Sequence, residues 1–311
     1  MPQKEMKRIA RHRRWLRPLA LDDFDERSGR LVPNHAGGDD RGVARRSPDP
    51  QPAPGAARRR LADGREDLLI EEDPLLLDVH GHQLLTMRTP GDDLDLARGF
   101  LLGEGIVSSL DEVVAVARVP AGDDAPARVN VTLQAAPAGL AKARLARTHE
   151  IRSSCGACGV ADPQALLEDA AALLPGTPRL PVAQLASLTQ SLEQRQALFS
   201  QTGGCHGAVI AAAAGAVLSA AEDVGRHNAL DKAIGAAART GADLTKCVAV
   251  LSGRAGFDLV VKCLRVRIPI IVSVSAPSAT AFDLCEAAGA TLVGFVRGDR
   301  RTVYCGADRL V

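Results

Sequence analysis

No apolar run in the chain reaches the roughly 18 residues that a membrane-spanning helix needs, and Arg13-Arg14-Trp15-Leu16 leads to Asp22-Asp23 rather than to the apolar region of a secretory signal. Cysteine is sparse: seven, at 155, 158, 205, 247, 263, 285 and 305, are too few and too scattered for a disulfide scaffold, so reduced thiols are expected. Neither a Walker A element nor a G-x-G-x-x-G element is present, which argues against a P-loop or Rossmann nucleotide site. There is no internal repeat. Aromatic residues make up only 3%, yet 46% of the 311 residues are hydrophobic and 24% charged, enough apolar matter for a packed core and against a wholly disordered or collagen-like chain. A soluble cytoplasmic protein is expected, with no membrane association.

The formal charge of +1 hides an asymmetry. Residues 1–65 hold 16 Lys and Arg against 9 Asp and Glu, so the remainder is mildly acidic and offers no general nucleic-acid-binding surface. Residues 1–66 carry seven prolines and almost no apolar periodicity, which predicts a disordered basic Pro/Arg-rich extension, with a functional basic tail as the alternative. Residues 67–150 read as a small α+β lobe: a hairpin through Leu75, Leu77, Val79, His80-Gly81, Leu85 and Met87, a helix entered at Gly91-Asp92-Asp93, and paired strands around 113–119 and 129–133. Residues 151–162 read as a mobile C-x-x-C loop.

From 163 to 311 helices and strands alternate. Two helices, 163–174 and 181–199, precede a hairpin turning at Gly215, and then come helix 229–238, strand 248–251, helix 257–266, strand 268–274, helix 280–288 and strand 291–296. The pattern predicts an α/β fold with a mostly parallel sheet covered by helices on both faces.

In open α/β sheets, ligands bind beyond the carboxyl ends of the strands, where loops feed helix N-termini. Four polar segments fall at such junctions: Thr202-Gly203-Gly204-Cys205-His206, Glu222 to Asn228, Ser252-Gly253-Arg254 and Ser275-Ala276-Pro277-Ser278. Each alone reads as an ordinary helix cap or charged helix entry. Together they supply Arg226, Arg254, His206, His227 and several glycines, chemistry suited to a phosphate-bearing ligand held by guanidinium groups and backbone N–H groups.

The second candidate is Arg152-Ser153-Ser154-Cys155-Gly156-Ala157-Cys158-Gly159. A C-x-x-C pair serves structural zinc, thioredoxin-like redox chemistry or sulfur transfer. Zinc usually needs a second ligand pair, and Cys247, Cys263 and Cys285 read as single core residues. Redox chemistry favours a strand-to-helix junction, whereas here loop runs on to Pro163. Sulfur transfer needs a loop thiolate that attacks a donor persulfide and carries its outer sulfur, and Arg152 would favour that thiolate. Cys205 reads as a partly buried thiol, with an auxiliary thiol or a metal contact as alternatives.

These residues resemble the formate dehydrogenase accessory sulfurtransferase (FdhD) family of sulfur carriers. The resemblance runs from about Leu68 to the C-terminus. It is carried by Met87-Arg88-Thr89-Pro90-Gly91-Asp92-Asp93, Leu101 to Gly105, Ser153 to Gly159, Thr202 to His206, Glu222 to Lys232, Ser252-Gly253-Arg254 and Ser275-Ala276-Pro277. It implies a cytidine-deaminase-like three-layer core, and a carrier that takes persulfide sulfur from a cysteine desulfurase. That sulfur would pass to the molybdenum or tungsten bis-guanine-dinucleotide cofactor, the bound substrate, before insertion into formate dehydrogenase. By the same resemblance Cys155 carries the persulfide and Cys158 assists. Phe295, Val296, Arg297, Gly298, Asp299 and Arg300 match the family's cofactor-binding stretch, joined at the cofactor by Gly203, His206, Arg226, His227, Arg254 and Ser275. No resident metal is expected. Two guanine dinucleotides per cofactor suggest two equivalent sites, hence a homodimer.

Two other functions compete. A zinc-dependent deaminase needs a His or Cys with a neighbouring Glu, then Pro-Cys-x-x-Cys, whereas Ser154 precedes Cys155 and Gly207-Ala208 follow His206. A non-catalytic cofactor-binding chaperone would need the rim of polar loops but not the loop thiols.

Overall fold

The computed structural model describes residues 51–123, 125–147 and 177–311, together with two short strands, β1 (Phe24–Asp25) and β2 (Arg30–Leu31). Residues 1–50 and 51–311 form two separate compact units. In the first, β1 and β2 pair antiparallel. The C-x-x-C loop with Cys155 and Cys158, and the helix expected at 163–174, lie outside the described residues. No helix among the described residues is long and apolar enough to cross a membrane.

The second unit begins earlier than the sequence pattern implied. β3 (Ala56–Arg60) and β4 (Glu66–Ile70) form an antiparallel hairpin, so the stretch 51–66, expected in the disordered extension, belongs to the folded body. Its arginines hid it, because only one face of the hairpin meets protein. The attachment is largely backbone: Ala53 N–H donates to Gln201 Oε1 at 2.8 Å, Glu71 N–H donates to the Gly55 carbonyl, and Gly55, at φ 90°, sits where a Cβ would press on Thr89.

β5 (Asp73–Val79) and β6 (His82–Arg88) form the expected hairpin, whose two-residue turn puts His80 and Gly81 at φ 51° and 86°. Strand alternation sends Leu75, Leu77 and Val79 inward. α1 (Asp93–Gly103) covers them, and β7 (Val113–Val119) and β8 (Ala127–Leu133) complete a four-stranded sheet of order β6-β5-β8-β7. α2 (Gly139–Arg147) follows.

The expected helix 181–199 is two helices, α3 (Gln184–Gln194) and α4 (Ala197–Thr202). The break falls at Arg195 and Gln196, whose buried side chain fills the space left by Gly207. Then come β9 (His206–Ala212), β10 (Val217–Asp223), α5 (Arg226–Arg239), β11 (Cys247–Leu251), α6 (Phe257–Arg265), β12 (Ile270–Ser273), α7 (Ala279–Ala287), β13 (Thr291–Arg297) and β14 (Arg300–Cys305).

These strands make a six-stranded sheet of order β10-β9-β11-β12-β13-β14. A mostly parallel sheet was expected, and this is corrected: only the β11–β12 and β12–β13 pairings are parallel, because hairpins close both edges. β14 escaped sequence reading because it is an edge strand with four of its six residues exposed and no alternating apolar face. The sheet is the middle of three layers. Ala208, Ile210, Ala249, Leu251 and Ile271 belong to a core shared with α5, α6, α7 and the small lobe, while Val209, Ala211, Val248, Val250 and Val272 pack with Leu185, Leu188 and Leu192 of α3. Covered on both faces, β11 is apolar throughout, as central strands must be.

Candidate functional site

The sheet register brings the four polar segments to one rim. His206, which opens β9, pairs with Asp223, which closes β10, and Leu251 at the end of β11 pairs with Ala208 on one side and Ser273 on the other. Loop hydrogen bonds tie the strand ends together. Gly207 N–H donates to Ser252 Oγ at 2.8 Å, Ser273 Oγ–H to the Gly253 carbonyl at 2.6 Å, and Phe295 N–H to the Ser275 carbonyl at 3.1 Å. The last bond attaches the β13–β14 hairpin, so the 295–300 stretch joins the same rim.

Three helices begin there. α5 and α6 start after Gly225 and Gly256, which provide no side-chain cap, while Ser278 caps α7 by accepting the Ala281 N–H. Uncapped first-turn N–H groups at two of these starts suit an anion.

The cations are arranged rather than merely present. Arg226 Nε–H donates to Asp258 Oδ2 at 2.9 Å, and His227 Nε2 meets the same oxygen. Burial works to raise the Asp258 carboxyl, but His227 and Arg226 outweigh it and hold its pKa at about 2. Because Asp258 engages the Nε of Arg226, the two terminal nitrogens of that guanidinium have no hydrogen bond among the described residues and can meet a ligand. Arg254 is exposed beyond the end of β11. His206 is held below the ordinary imidazole range by burial and then by Arg226, His227 and Arg254, which makes it a neutral imidazole at pH 7. Gly253 faces it, where a Cβ would lie a tight 3.2 Å from Nδ1.

At the hairpin tip Arg297 and Arg300 are paired in register across Gly298, at φ 55°, and both are exposed. Phe295 is a non-glycine residue at φ 54° with 49% of its surface exposed, strain of the kind that folded proteins hold at ligand sites. Val296 is fully buried, so only its backbone can face a ligand. Gly203 ends α4 at φ 63° and is exposed, and Ser275 is half-buried.

Asp258 was not singled out from sequence, where it reads as one more acid in a first helical turn. Conversely, much of the Glu222–Lys232 motif faces away from the rim. Asp223, fully buried, accepts Thr89 N–H at 3.1 Å, pairs with Lys232 Nζ at 2.8 Å and accepts from Asn228 Nδ2 at 3.1 Å. Lys232 also donates to the Thr89 carbonyl, and Asn228 to that of Met87. One turn on, Lys262 reaches Asp231 at 2.9 Å and Glu104 at 2.7 Å. Burial raises the Asp231 carboxyl to about 6 despite Lys262. These residues lock the small lobe onto α5.

Cys205 is disfavoured as a thiolate. Burial and then Glu222 push its thiol far up, and its Sγ–H donates to Glu222 Oε1 at 3.2 Å. Glu222 itself is occupied, accepting the Leu198 and Phe199 N–H groups.

The fold and the sequence have relatives. A crystal structure of a formate dehydrogenase accessory protein from Desulfotalea psychrophila superposes with a TM-score of 0.63 at 26% identity, covering 82% of this chain and 97% of that one. The chain is 41% identical over 256 residues to the sulfur carrier protein FdhD of Anaeromyxobacter dehalogenans, which spans 78% of this chain and 88% of that relative. It is 40% identical over 255 residues to the protein of the same name from Mycobacterium tuberculosis, spanning 79% and 92%. Residues 70–311 match the model of the FdhD/NarQ family, and the chain belongs to that family.

Proposed function

We propose that this protein is a sulfurtransferase that carries sulfur from a cysteine desulfurase to the molybdenum or tungsten bis-guanine-dinucleotide cofactor, before that cofactor enters formate dehydrogenase. The observation that carries the reading is the rim. Arg226 and His227 are set on Asp258 beside Arg254, a neutral His206 and two uncapped helix starts. Guanidinium donors and free N–H groups at the ends of parallel strands suit the diphosphate of a guanine dinucleotide. Phe295, Arg297, Gly298, Asp299 and Arg300, with the backbone of Val296, extend that surface, and Gly203 and Ser275 border it.

The chemistry belongs to the loop. The Cys155 thiolate attacks the outer sulfur of the desulfurase persulfide, the donor S–S bond breaks, and the desulfurase cysteine leaves as a thiolate. With the cofactor on the rim, the Cys158 thiol attacks Cys155, closing a disulfide and releasing the outer sulfur as sulfide to the metal of the substrate. A cellular thiol reductant then reopens the pair. The core is read as cytidine-deaminase-like, with the β9–β10 hairpin preceding the parallel β11, β12 and β13. A homodimer in the cytoplasm would offer one rim to each guanine dinucleotide.

The test is mass spectrometry of the full chain after incubation with a cysteine desulfurase and cysteine. The expected product is one sulfur atom heavier, reverts with reductant and is absent from Cys155→Ala. If the adduct survives Cys155→Ala but not Cys158→Ala, the carrier is Cys158. If neither cysteine is loaded while guanosine diphosphate still binds, the protein is a cofactor-binding chaperone.

A further inference from the structure

We propose that an arginine-lined cavity at the far end of α5 from the rim is a second anion site, which takes the terminal phosphate of a phosphate monoester. The cavity measures about 520 Å³, and Arg98 of α1, Arg118 of β7 and Arg239 of α5 converge on it. Arg226 opens the 14-residue α5 at the rim and Arg239 ends it, which separates the two places by about 20 Å. The cavity shares no residue with the rim or with the sulfur-transfer chemistry.

The acceptors there are occupied and the donors are not. Asp93, buried, accepts from Arg88 Nε at 2.7 Å, from Arg88 Nη2 at 3.2 Å and from Arg118 Nε at 2.8 Å. Asp95 accepts from Arg98 Nη1 at 2.8 Å, and from Arg239 Nε at 2.9 Å and Nη2 at 3.2 Å. Among the described residues, both terminal nitrogens of Arg118, Nε and Nη2 of Arg98 and Nη1 of Arg239 are left without a hydrogen bond. Against them the cavity offers one further carboxylate, Asp92, at its exposed edge. With Arg88 and the exposed Asp73 beside it, guanidiniums and aspartates balance in charge. Hydrogen-bonding groups do not balance, so a ligand that displaces water from this cavity must bring acceptors, and an oxyanion does.

Three guanidiniums arriving from three elements select phosphate over carboxylate. One guanidinium fork already satisfies the two oxygens of a carboxylate, whereas a phosphate monoester presents three terminal oxygens and, above its second pKa of about 6, close to two negative charges. The donors are also fixed before a ligand arrives, which lowers the entropy lost on binding. Asp95 grips Arg239 through two nitrogens, and Asp93 holds Arg118 by Nε. Burial works to raise the Asp93 carboxyl, but Arg88 and Arg118 outweigh it and hold it below the ordinary carboxylate range, which keeps that anchor charged at neutral pH. The volume beyond the arginines takes the alcohol or sugar part of the monoester. A bound phosphate ties β7 and α1 of the small lobe to the last turn of α5.

The experiment labels arginines of the full-length protein with phenylglyoxal and reads them by peptide mass spectrometry, in inorganic phosphate, in glycerol 3-phosphate, or in chloride at matched ionic strength. Both phosphates should shield Arg98 and Arg118 saturably and chloride should not, in wild type and in Arg254→Ala/Arg297→Ala alike. Arg118→Gln leaves Asp93 its Arg88 partner, and should raise the phosphate concentration that half-protects Arg98 about tenfold, the effect of one charge-assisted contact. The wild-type pattern stands without that variant. Equal shielding by chloride, shielding by inorganic phosphate but not by glycerol 3-phosphate, or shielding that disappears in the rim double variant would each overturn the proposal. So would shielding by a polyglutamate peptide and by neither phosphate, which would assign the cavity to an acidic protein partner.

Discussion

The Glu222–Lys232 motif serves two regions of opposite character. The seam beneath it is dry and saturated: Asp223, Asn228 and Lys232 each hold several partners, and Lys262 is shared between Glu104 and Asp231. The rim above it holds Arg226 and His227 on the carboxylate of Asp258 and, among the described residues, leaves Arg254, Arg297 and Arg300 exposed. A run of charged and polar residues is therefore not one site. Position along α5 decides whether a side chain goes down to join lobes or up to meet a ligand, because the helix repeats every 3.6 residues.

That division predicts large folding effects at the seam and binding effects at the rim. The severest is Gly235→Val. α1 crosses α5 so closely that a Cβ on Gly235 would fall on the Asp95 carbonyl, and one on Gly99 would fall on that of Asp231. A loss of more than about 4 kcal/mol is expected, read as a fall in soluble yield and melting temperature. Lys232→Met leaves Asp223 buried without its cation and should cost about 3–5 kcal/mol in denaturant unfolding.

Asp258→Asn touches both properties. A carboxyl held at about 2 stabilises the fold above its unfolded pKa of about 4, and that contribution fades as pH falls towards 2. The variant should lose about 2 kcal/mol at neutral pH, with the gap to wild type narrowing through that acid window. Its affinity for guanosine diphosphate should fall about tenfold, because Arg226 loses the carboxylate that aims its terminal nitrogens at the ligand. Arg254→Ala should weaken the same ligand by a similar factor while unfolding within about 0.5 kcal/mol of wild type.

The smallest effect is on pH dependence. His206, held below the ordinary imidazole range by burial, gains a charge only as pH falls beneath that range. Guanosine diphosphate should bind a few-fold more tightly through that range, and His206→Asn should flatten the rise in a pH-resolved titration.

Much of this was legible before any coordinates. Period-two patterning located β5, β6 and β8, the turn at Gly215 located the β9–β10 hairpin, the entry at Gly91-Asp92-Asp93 located α1, and the alternation of helix with strand located α5, α6 and α7. The rim followed from strand ends and glycines. β3 and β14 were missed because edge strands and surface hairpins need no alternating apolar face. The Asp258 clamp was missed because its partners come from another helix, 32 residues away for Arg226. Nothing in sequence spacing separates such a carboxylate from an ordinary first-turn acid.

The most direct test of the division is calorimetric titration of guanosine diphosphate at fixed salt into three proteins: wild type, Arg254→Ala/Arg297→Ala, and the mild seam variant Thr86→Ala. Thr86 Oγ1–H donates to Asn228 Oδ1 at 3.4 Å, a contact the fold can spare. Saturable binding to wild type and Thr86→Ala alike, lost in the double arginine variant, is the predicted result. Equal affinity in all three proteins would contradict the account and remove the ligand from the rim.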